Sequence, residues 1–294
     1  MDQTLEILVE QAKGGNKNAL ESLIERIQDR VYGLAIRMLG HPADAEDATQ
    51  EILTKVVTHL VSFRQESAFT TWVYRVASHH LLTTRKRRAE RKELTFEQCE
   101  GEINRIASGR WLESSSEAEQ SLLMEEIRIR CMQSILLCLD RGLRITYILG
   151  EIFELTSDKG GYILNIAPTA FRKRLSRARK RIHNFMGKNC ALVNPKNSCH
   201  CAKWGYNAIK TGFIDPDRLL FAKHPSYVRK DIFAIRQLQE VDELHRVATL
   251  FRNHPDYAAP GVFVESIKEL IHSRKYKLLS GQEGKKEKWR QRKA

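Results

Sequence analysis

Apolar residues recur every three or four positions through most of this chain, and no segment keeps the strict alternation of a half-buried strand. The pattern predicts an all-α protein. In the N-terminal part it indicates three helices, and Pro42 and Asp44 mark the start of the second. The apolar stripes of the three helices lie within Leu20–Leu34, Ala45–Leu60 and Trp72–Leu81. We expect a first helical domain over residues 1–92.

A polar segment separates this domain from a second helical one. Residues 93–116 contain Gly101, Gly109 and three consecutive serines, a composition that is typical of a linker and too short for a domain of its own. Apolar positions at helical spacing resume after Glu117 and predict a second domain over residues 117–186. Residues 187–294 begin with a loop containing Cys, Asn and Pro and continue with amphipathic patterns. We expect a mainly helical C-terminal extension there.

The end of the second domain has the pattern of a helix-turn-helix. Asn165 can adopt the left-handed conformation that ends a short helix, and Pro168 suits the first turn of the next one. The second helix of such a unit lies in the DNA major groove. We predict base contacts by Thr169, Ala170, Arg172 and Lys173, and phosphate contacts by Arg174, Arg177, Arg179, Lys180 and Arg181. The alternative is a basic surface helix without a ligand.

Positive charge is concentrated in three short segments. The formal net charge is +13, yet Thr83–Lys92, Phe171–His183 and Gly284–Ala294 together carry +17, which leaves −4 for the remainder of the chain. Such clusters favour binding of a polyanion through its phosphates. The first two segments continue patterned helices, whereas the last is typical of a solvated tail.

Aromatic and basic residues are interleaved over residues 69–88, which makes this a second candidate for DNA binding. Bases of single-stranded DNA stack on aromatic rings while cations neutralise the backbone. Trp72 is expected to belong mainly to the helical core. The residues predicted to face DNA are Arg75, His79, Arg85, Lys86, Arg87 and Arg88.

The helix that begins near Pro42 presents acids and amides on one face, at Asp44, Asp47, Gln50 and Glu51. Solvation is the ordinary explanation for such a face. Its combination with the two basic segments gives it a more specific meaning.

In this combination the sequence resembles the sigma factors of the extracytoplasmic-function type, bacterial subunits that give RNA polymerase its promoter specificity. The resemblance rests on Asp44–Glu51 (DAEDATQE), on Phe69–Ala77 with the basic run behind it, and on Arg174–Ile182 (RLSRARKRI). It covers roughly residues 15–186, with the motifs in the expected order and a direct linker between them.

The resemblance implies sigma region 2 over residues 1–92 and sigma region 4 over residues 117–186. It implies that the Asp44–Glu51 helix binds the β′ clamp helices of the polymerase core, with the β flap as a further contact on the core. The Trp72–Arg88 helix would capture the melted strand of the start-proximal promoter element, and the Phe171–Arg181 helix would read the upstream element as duplex. The linker would thread toward the active-site channel. The protein itself would not be an enzyme, and no segment groups a nucleophile with a base.

Two positions depart from the family pattern. His79 stands where the family commonly has Asn, so base contacts there are expected to differ. Gly160 and Gly161 replace the usual Ile-Ala pair in the first helix of the helix-turn-helix. Since a glycine costs about 1 kcal/mol relative to alanine within a helix, we expect this helix to be loose or short.

Three cysteines near the start of the extension form a candidate metal site. Cys190, Cys199 and Cys201, with His183 and His200 nearby, could supply thiolates and an imidazole to a zinc-like ion. Unligated thiols are the alternative, and no other cofactor is expected. The resemblance suggests either self-regulation by the extension or an anti-sigma factor as a partner.

No apolar run approaches the roughly 18 residues needed to cross a bilayer, and the N-terminus does not have the pattern of a signal peptide. We therefore expect a cytoplasmic protein without a membrane partner. Two other functional classes remain open. A metal- or redox-responsive DNA-binding regulator would explain the helix-turn-helix but not the acidic helix or residues 69–88. An interaction module would explain the Gly160-Gly161 pair.

Overall fold

The computed structural model describes residues 4–84, 94–106, 116–212, 214–222, 227–228, 243–252, 256–260, 265 and 268–269. The helices are α1 (Leu5–Lys13), α2 (Lys17–Leu39), α3 (Pro42–His59), α4 (Phe69–Thr83), α5 (Phe96–Ile106), α6 (Glu117–Leu137), α7 (Arg141–Tyr147), α8 (Ser157–Leu164), α9 (Pro168–Asn189), α10 (Cys201–Lys210) and α11 (Glu243–Arg252). A 3₁₀ turn, Leu60–Ser62, follows α3, and a π-helical turn, Ile148–Ile152, continues α7. The all-α prediction is confirmed. The described strands are two residues each, β1 (Tyr227–Val228) and β2 (Asp256–Tyr257), paired antiparallel.

Short polar side chains begin most of these helices. Asn16, Ser116 and Asp140 accept hydrogen bonds from the backbone N–H three residues on, at 3.1, 3.2 and 2.9 Å, at the starts of α2, α6 and α7. Each bond satisfies a donor that the first turn of a helix would otherwise leave unpaired. Gly40 ends α2 in the left-handed conformation, at φ 67°, which glycine adopts without strain.

Helices α1–α4 form an N-terminal module. Its core lies between α2, α3 and α4, where Leu23, Ile27, Ile52 and Phe69 are almost completely buried. These are the positions at which the apolar stripes of the three helices meet. The spacing of apolar residues in the sequence therefore determines which face of each helix turns inward.

Helices α6–α9 form a second module, and it packs directly against the first. The guanidinium of Arg144, from α7, donates to the carbonyl of Met38 at 2.6 Å and to those of Leu136 and Leu139 at 3.0 and 2.9 Å. Arg144 is only 4% exposed, so its hydrogen bonds replace water that it cannot reach. Contacts of this kind join the two modules over one continuous hydrophobic core.

Residues 93–116 differ from the predicted linker because they contain helix α5. Thr95 and Gln98 form a capping box: the Thr95 hydroxyl accepts from the Gln98 N–H at 3.1 Å, and the Gln98 side chain accepts from the Thr95 N–H at 3.0 Å. The ring of Phe96 lies 5.2 Å from that of Phe185 on α9, and Glu100 pairs with Lys188 at 2.5 Å. The Thr95-x-x-Gln98 pattern was visible in the sequence and indicates this helix start.

The C-terminal extension is anchored on both modules. Tyr257 packs edge-on against Tyr32 of α2, with ring centroids 6.2 Å apart, and lies 5.0 Å from the Arg37 guanidinium. The same tyrosine accepts a hydrogen bond from Gln133 of α6 at 3.4 Å. Two residues on, the Ala259 N–H donates to Asp29 of α2 at 2.7 Å. One short segment of the extension thus contacts helices of both modules.

A second anchor holds the loop behind α10. The carboxylate of Glu126 on α6, completely buried, accepts hydrogen bonds from the N–H groups of Leu220, Phe221 and Ala222 at 2.8–3.0 Å. Arg130, one turn along α6, donates to the same carboxylate at 2.6 Å. A buried charge persists only where it is paired and hydrogen-bonded, and these four donors meet that condition.

None of the helices in the described part of the chain is long and apolar enough to cross a membrane.

Candidate nucleic-acid and polymerase interface

The helix-turn-helix has the predicted backbone. Asn165 ends α8 in the left-handed region, at φ 53° and ψ 48°, and Pro168 occupies the first turn of α9. The Ile166 N–H donates to the Gly161 carbonyl at 2.9 Å and closes the turn. The turn prediction from Asn165 and Pro168 is confirmed.

Helix α9 is divided into an apolar face and a basic face. Phe171, Leu175, Ala178 and Ile182 are buried against the rest of the second module. Thr169, Arg172, Lys173 and Arg177 are exposed, whereas Ala170 and Arg174 are half-buried. Arg172 donates to the Ser157 hydroxyl at 3.1 Å, a contact that holds its side chain near the start of α8. Thr169, Arg172, Lys173 and Arg177 of the predicted contacts therefore lie at the surface of α9.

The glycine pair in α8 permits close packing. A Cβ atom on Gly160 would lie 2.3 Å from the Phe171 ring, and one on Gly161 would lie 2.8 Å from the Ile166 carbonyl oxygen. Both glycines are buried within an eight-residue helix. The helix is short, which is one of the two expected outcomes, and each missing side chain makes room for a residue of the turn or of α9.

One predicted phosphate contact is already engaged within the protein. Arg179 pairs with the carboxylate of Glu151, which is 3% exposed, and Arg252 of α11 pairs with the same carboxylate at 2.7 Å. Arg252 also donates to the Glu151 carbonyl at 3.0 Å. This cluster links the basic helix α9 to the extension. Arg179 is thus a structural residue in this arrangement.

The aromatic residues of the α4 region form a compact cluster. The ring of Trp72 lies 5.5 Å from Phe63 and 5.7 Å from Phe69, and its half-buried position agrees with the prediction that it belongs mainly to the core. His79 is exposed, as predicted for a DNA-facing residue. Arg85, Lys86, Arg87 and Arg88 lie outside the described residues.

Arg75 has a partner that the sequence did not indicate. Its guanidinium lies 4.7 Å from the ring centroid of Tyr162, on the first helix of the helix-turn-helix. A cavity of about 580 Å³ opens between α4, the end of α3 and the loop that joins them, and Tyr162 of α8 lies at its wall together with Trp72, Arg75 and His79. Lys55 and Arg64 add further cations to its wall, and Glu66 adds an acid. The cavity therefore combines rings with cations.

The acidic helix places three of its four predicted residues at the surface. Asp47, Gln50 and Glu51 are exposed on α3. Asp44 is only 4% exposed, so the prediction that it faces solvent is wrong. Asp44 lies in the first turn of α3 and is buried there. A carboxylate at this position is stabilised by the positive end of the helix dipole.

The three cysteines of the extension do not assemble a metal site. Cys190 and Cys199 face each other across an isolated parallel bridge, and Cys201 begins α10. Burial, followed by the charge of the neighbouring cysteines, raises the pKa of the Cys199 and Cys201 thiols to about 12, and burial also raises the pKa of Cys190. No group of three or more His, Cys, Asp or Glu side chains in the described ranges is placed to hold a metal ion.

Comparisons with known proteins agree with this geometry. Residues 23–91 match the model of the family described as Sigma-70 region 2. The chain is 30% identical over 178 residues to the RNA polymerase sigma-H factor of Pseudomonas aeruginosa, which covers 60% of this chain and 90% of that protein. It is 31% identical over 187 residues to the ECF RNA polymerase sigma-E factor of Escherichia coli K12, which covers 62% and 93%.

Among solved structures, the chain is similar to CnrH in complex with the cytosolic domain of CnrY, with 22% identity and a TM-score of 0.44, over 62% of this chain and 96% of that one. These two relatives match 178 and 187 of the 294 residues of the chain. The motifs, the helix-turn-helix and the similarity to the sigma-H and sigma-E factors lead to one conclusion: the chain belongs to the extracytoplasmic-function sigma factors of RNA polymerase.

Proposed function

We propose that the protein directs promoter recognition and transcription initiation by bacterial RNA polymerase, with a different helix for each contact. Helix α9 reads the upstream promoter element as duplex DNA, α4 holds the melted strand, and α3 binds the β′ clamp helices of the core. The observation that carries the proposal is the helix-turn-helix at Asn165–Pro168, which leaves one basic face of α9 open to a DNA groove.

The exposed face of α9 fits duplex recognition. Its N-terminal turn carries Thr169, Arg172 and Lys173, which are the residues that approach base edges when such a helix enters the major groove. Arg177 lies farther along the same face, where a cation meets the phosphate backbone. Because Phe171 and Leu175 pack this helix on the module, its basic face is presented as a rigid surface.

The cavity beside α4 fits a single strand. Rings and cations together suit unpaired bases and their phosphates, since stacking on an aromatic side chain contributes about 1–3 kcal/mol per base. In the described arrangement Tyr162 covers Arg75, so a strand bound there requires α8 to move away from α4. The protein would therefore open between its two modules when it binds melted DNA.

The extension would control that opening. Tyr257 contacts α2 and α6, and Arg252 joins α11 to Glu151 beside the helix-turn-helix module. These contacts favour the closed arrangement in which α4 and α8 face each other. Self-regulation by the extension follows as part of the proposal, and an anti-sigma factor would be an additional partner.

In vitro transcription with purified polymerase core tests the function. The full chain, added to core and genomic DNA of its source, is expected to produce transcripts from defined start sites. Arg172→Ala should lower initiation about tenfold or more through lost upstream recognition, since one good base contact contributes about 1–3 kcal/mol. Asp47→Ala should weaken core binding and leave duplex DNA binding intact. Lys210→Ala, an exposed cation on α10, serves as the control and should match the parent.

The same experiment separates the competing functional classes. A DNA-binding regulator would initiate nothing with core alone and would act only when a resident sigma factor is present. An interaction module would do neither. Absence of any affinity between the chain and polymerase core would refute the proposed function.

A further inference from the structure

Two cysteines from separate parts of the chain lie in contact. The sulfur atoms of Cys99, on α5, and Cys138, at the end of α6, are 3.5 Å apart, and both residues are half-buried. A disulfide bond needs its sulfurs at about 2.05 Å, so a small side-chain movement separates this contact from a covalent bond. Neither residue belongs to the surfaces assigned to DNA or to the polymerase.

Both sulfurs are held in place by ordered structure. Helix α5 begins at the Thr95–Gln98 capping box and is fixed on α9 by the Phe96–Phe185 contact and the Lys188–Glu100 pair. Cys138 ends α6, where its N–H donates to the Ser134 carbonyl at 3.1 Å. The meeting of the two thiols is therefore a property of the folded module.

The contact also makes the two thiols unequal. A hydrogen bond from Cys138 lowers the pKa of Cys99 and raises the pKa of Cys138. The thiolate is the nucleophile in thiol oxidation, so the lowered pKa favours Cys99 as the attacking sulfur. The other four cysteines differ, since burial raises the pKa of Cys131, Cys190, Cys199 and Cys201.

We propose that Cys99 and Cys138 form a reversible disulfide when the protein meets a peroxide, and that this bond holds the closed arrangement. The Cys99 thiolate attacks a peroxide oxygen; the O–O bond breaks and yields a sulfenic acid and hydroxide, which takes up the Cys99 proton as water. The Cys138 sulfur then attacks the sulfenic sulfur, and the S–O bond breaks as water leaves with the Cys138 proton. Two thiols lose two electrons and two protons, and one hydrogen peroxide becomes two waters.

The consequence follows from chain length, and it rests on the proposed function. In the reduced protein only noncovalent contacts hold α5 on α9, and once they break 31 residues lie between Thr84, at the end of α4, and Ser116, just before α6. That length spans at most about 110 Å. In the oxidised protein 14 residues lie between Thr84 and Cys99, which is then bonded covalently to the second module. That shorter tether spans at most about 50 Å, so the two modules separate less.

Peptide mapping of the full chain under non-reducing conditions tests the bond itself. After reduction and treatment with hydrogen peroxide, a linked peptide pair containing Cys99 and Cys138 is expected. Cys99→Ser and Cys138→Ser should each abolish it, whereas Cys131→Ser should retain it as the matched control. Two free thiols at these positions after treatment, or linkage of Cys190 to Cys199 in their place, would overturn the proposal.

Binding of the reduced and oxidised chains to polymerase core tests the consequence. The oxidised protein should bind core about tenfold more weakly than the reduced protein, which lies within the usual range for coupling between two sites of a protein. A dithiol reductant should restore binding. The Cys99→Ser variant should bind core like the reduced parent before and after peroxide. Equal binding by the two forms, with the linked peptide present, would overturn the closing role of the bond. Failure of the reduced chain to bind core would refute the proposed function instead, and peptide mapping would still decide whether the bond forms.

Discussion

Buried charged side chains make several of the contacts between parts of this protein that are distant in sequence. Arg144 reaches the carbonyl of Met38, and Glu126 reaches the backbone of residues 220–222. Removing one partner of a buried, hydrogen-bonded charge is costly, because the groups left behind lose their partners without regaining water. At the residue scale, these two side chains join the modules and the extension.

Glu126→Gln should destabilise the protein by about 3 kcal/mol. One carboxylate oxygen that now accepts hydrogen bonds from backbone N–H groups is replaced by an NH₂ group, which is itself a donor and cannot accept them. The measurement is the free energy of unfolding in urea, together with amide hydrogen exchange at residues 220–222, which should lose protection. Glu125→Gln is the control, since Glu125 is partly exposed and pairs with Arg128 at 3.1 Å. Surface pairs contribute about 0–1 kcal/mol. Equal stability of the two variants would contradict the anchoring role of Glu126.

At the scale of elements, the helix-turn-helix depends on how closely α8 approaches α9. The Phe171 ring fills the space that a side chain at Gly160 would need. The turn at Asn165 sets the angle between the two helices. The propensity cost of glycine in a helix is small compared with the cost of forcing a methyl group into a packed aromatic ring. The glycine pair thus allows α9 to pack closely against α8.

Gly160→Ala should lower stability by about 1–3 kcal/mol, although alanine is the better helix former, because overpacking outweighs propensity. Duplex DNA binding should fall with it, since α9 is displaced. Gly101→Ala on α5 is the matched control: no atom lies within 4 Å of the added methyl group. That variant should gain about 0.5–1 kcal/mol. Thermal unfolding measures the stability of the two variants, and a duplex binding assay measures their affinity for DNA. A Gly160→Ala protein more stable than the parent would contradict the proposed overpacking against Phe171.

At the scale of the whole molecule, the closed arrangement sets α8 of the helix-turn-helix against the surface of α4 that is predicted to bind single-stranded DNA. Tyr162 from the helix-turn-helix module covers Arg75 of α4, and the extension contacts both modules through Tyr257. Only open molecules can bind a single strand in this arrangement. The apparent affinity for the strand is therefore the intrinsic affinity multiplied by the fraction of molecules that are open. Contacts that hold the closed form thereby regulate binding at a distance.

Arg252→Gln should shift the protein toward an open form, because it removes the ion pair between α11 and Glu151 while Arg179 still neutralises the carboxylate. A labelled single-stranded oligonucleotide of mixed sequence should bind about fivefold more tightly. The radius of gyration from small-angle X-ray scattering should increase. Arg246→Gln is the control on the same helix, since Arg246 donates to Val193 within the extension. Unchanged binding and size in Arg252→Gln would show that this contact does not hold the closed form.

Much of the local structure could be predicted from the sequence because its causes are local. Apolar spacing predicts the buried faces of α2, α3 and α4, and Asn165 with Pro168 predicts the turn before α9. The exposed cations of α9 follow from the same spacing, since a buried stripe on one side leaves the other side in water. The Thr95–Gln98 capping box belongs to this group as well and indicates α5.

Other features depend on residues that meet only in the folded chain. Asp44 differs from Asp47 in exposure because of what packs beside the first turn of α3, and the reason for Gly160 is a ring eleven residues away. The Arg75–Tyr162 contact and the Cys99–Cys138 pair join positions 87 and 39 residues apart. Sequence spacing carries no information about such distances.

The sequence by itself determined the helices, the face that each one buries, and the family to which the chain belongs, since each of these is written in short-range patterns of residue type. The tertiary structure alone decided that the two modules close on each other, that the extension anchors them, and that no three His, Cys, Asp or Glu side chains in the described part of the chain are placed to hold a metal ion. The physical reason is that packing and pairing energies depend on distances between side chains, which periodicity along the chain does not specify.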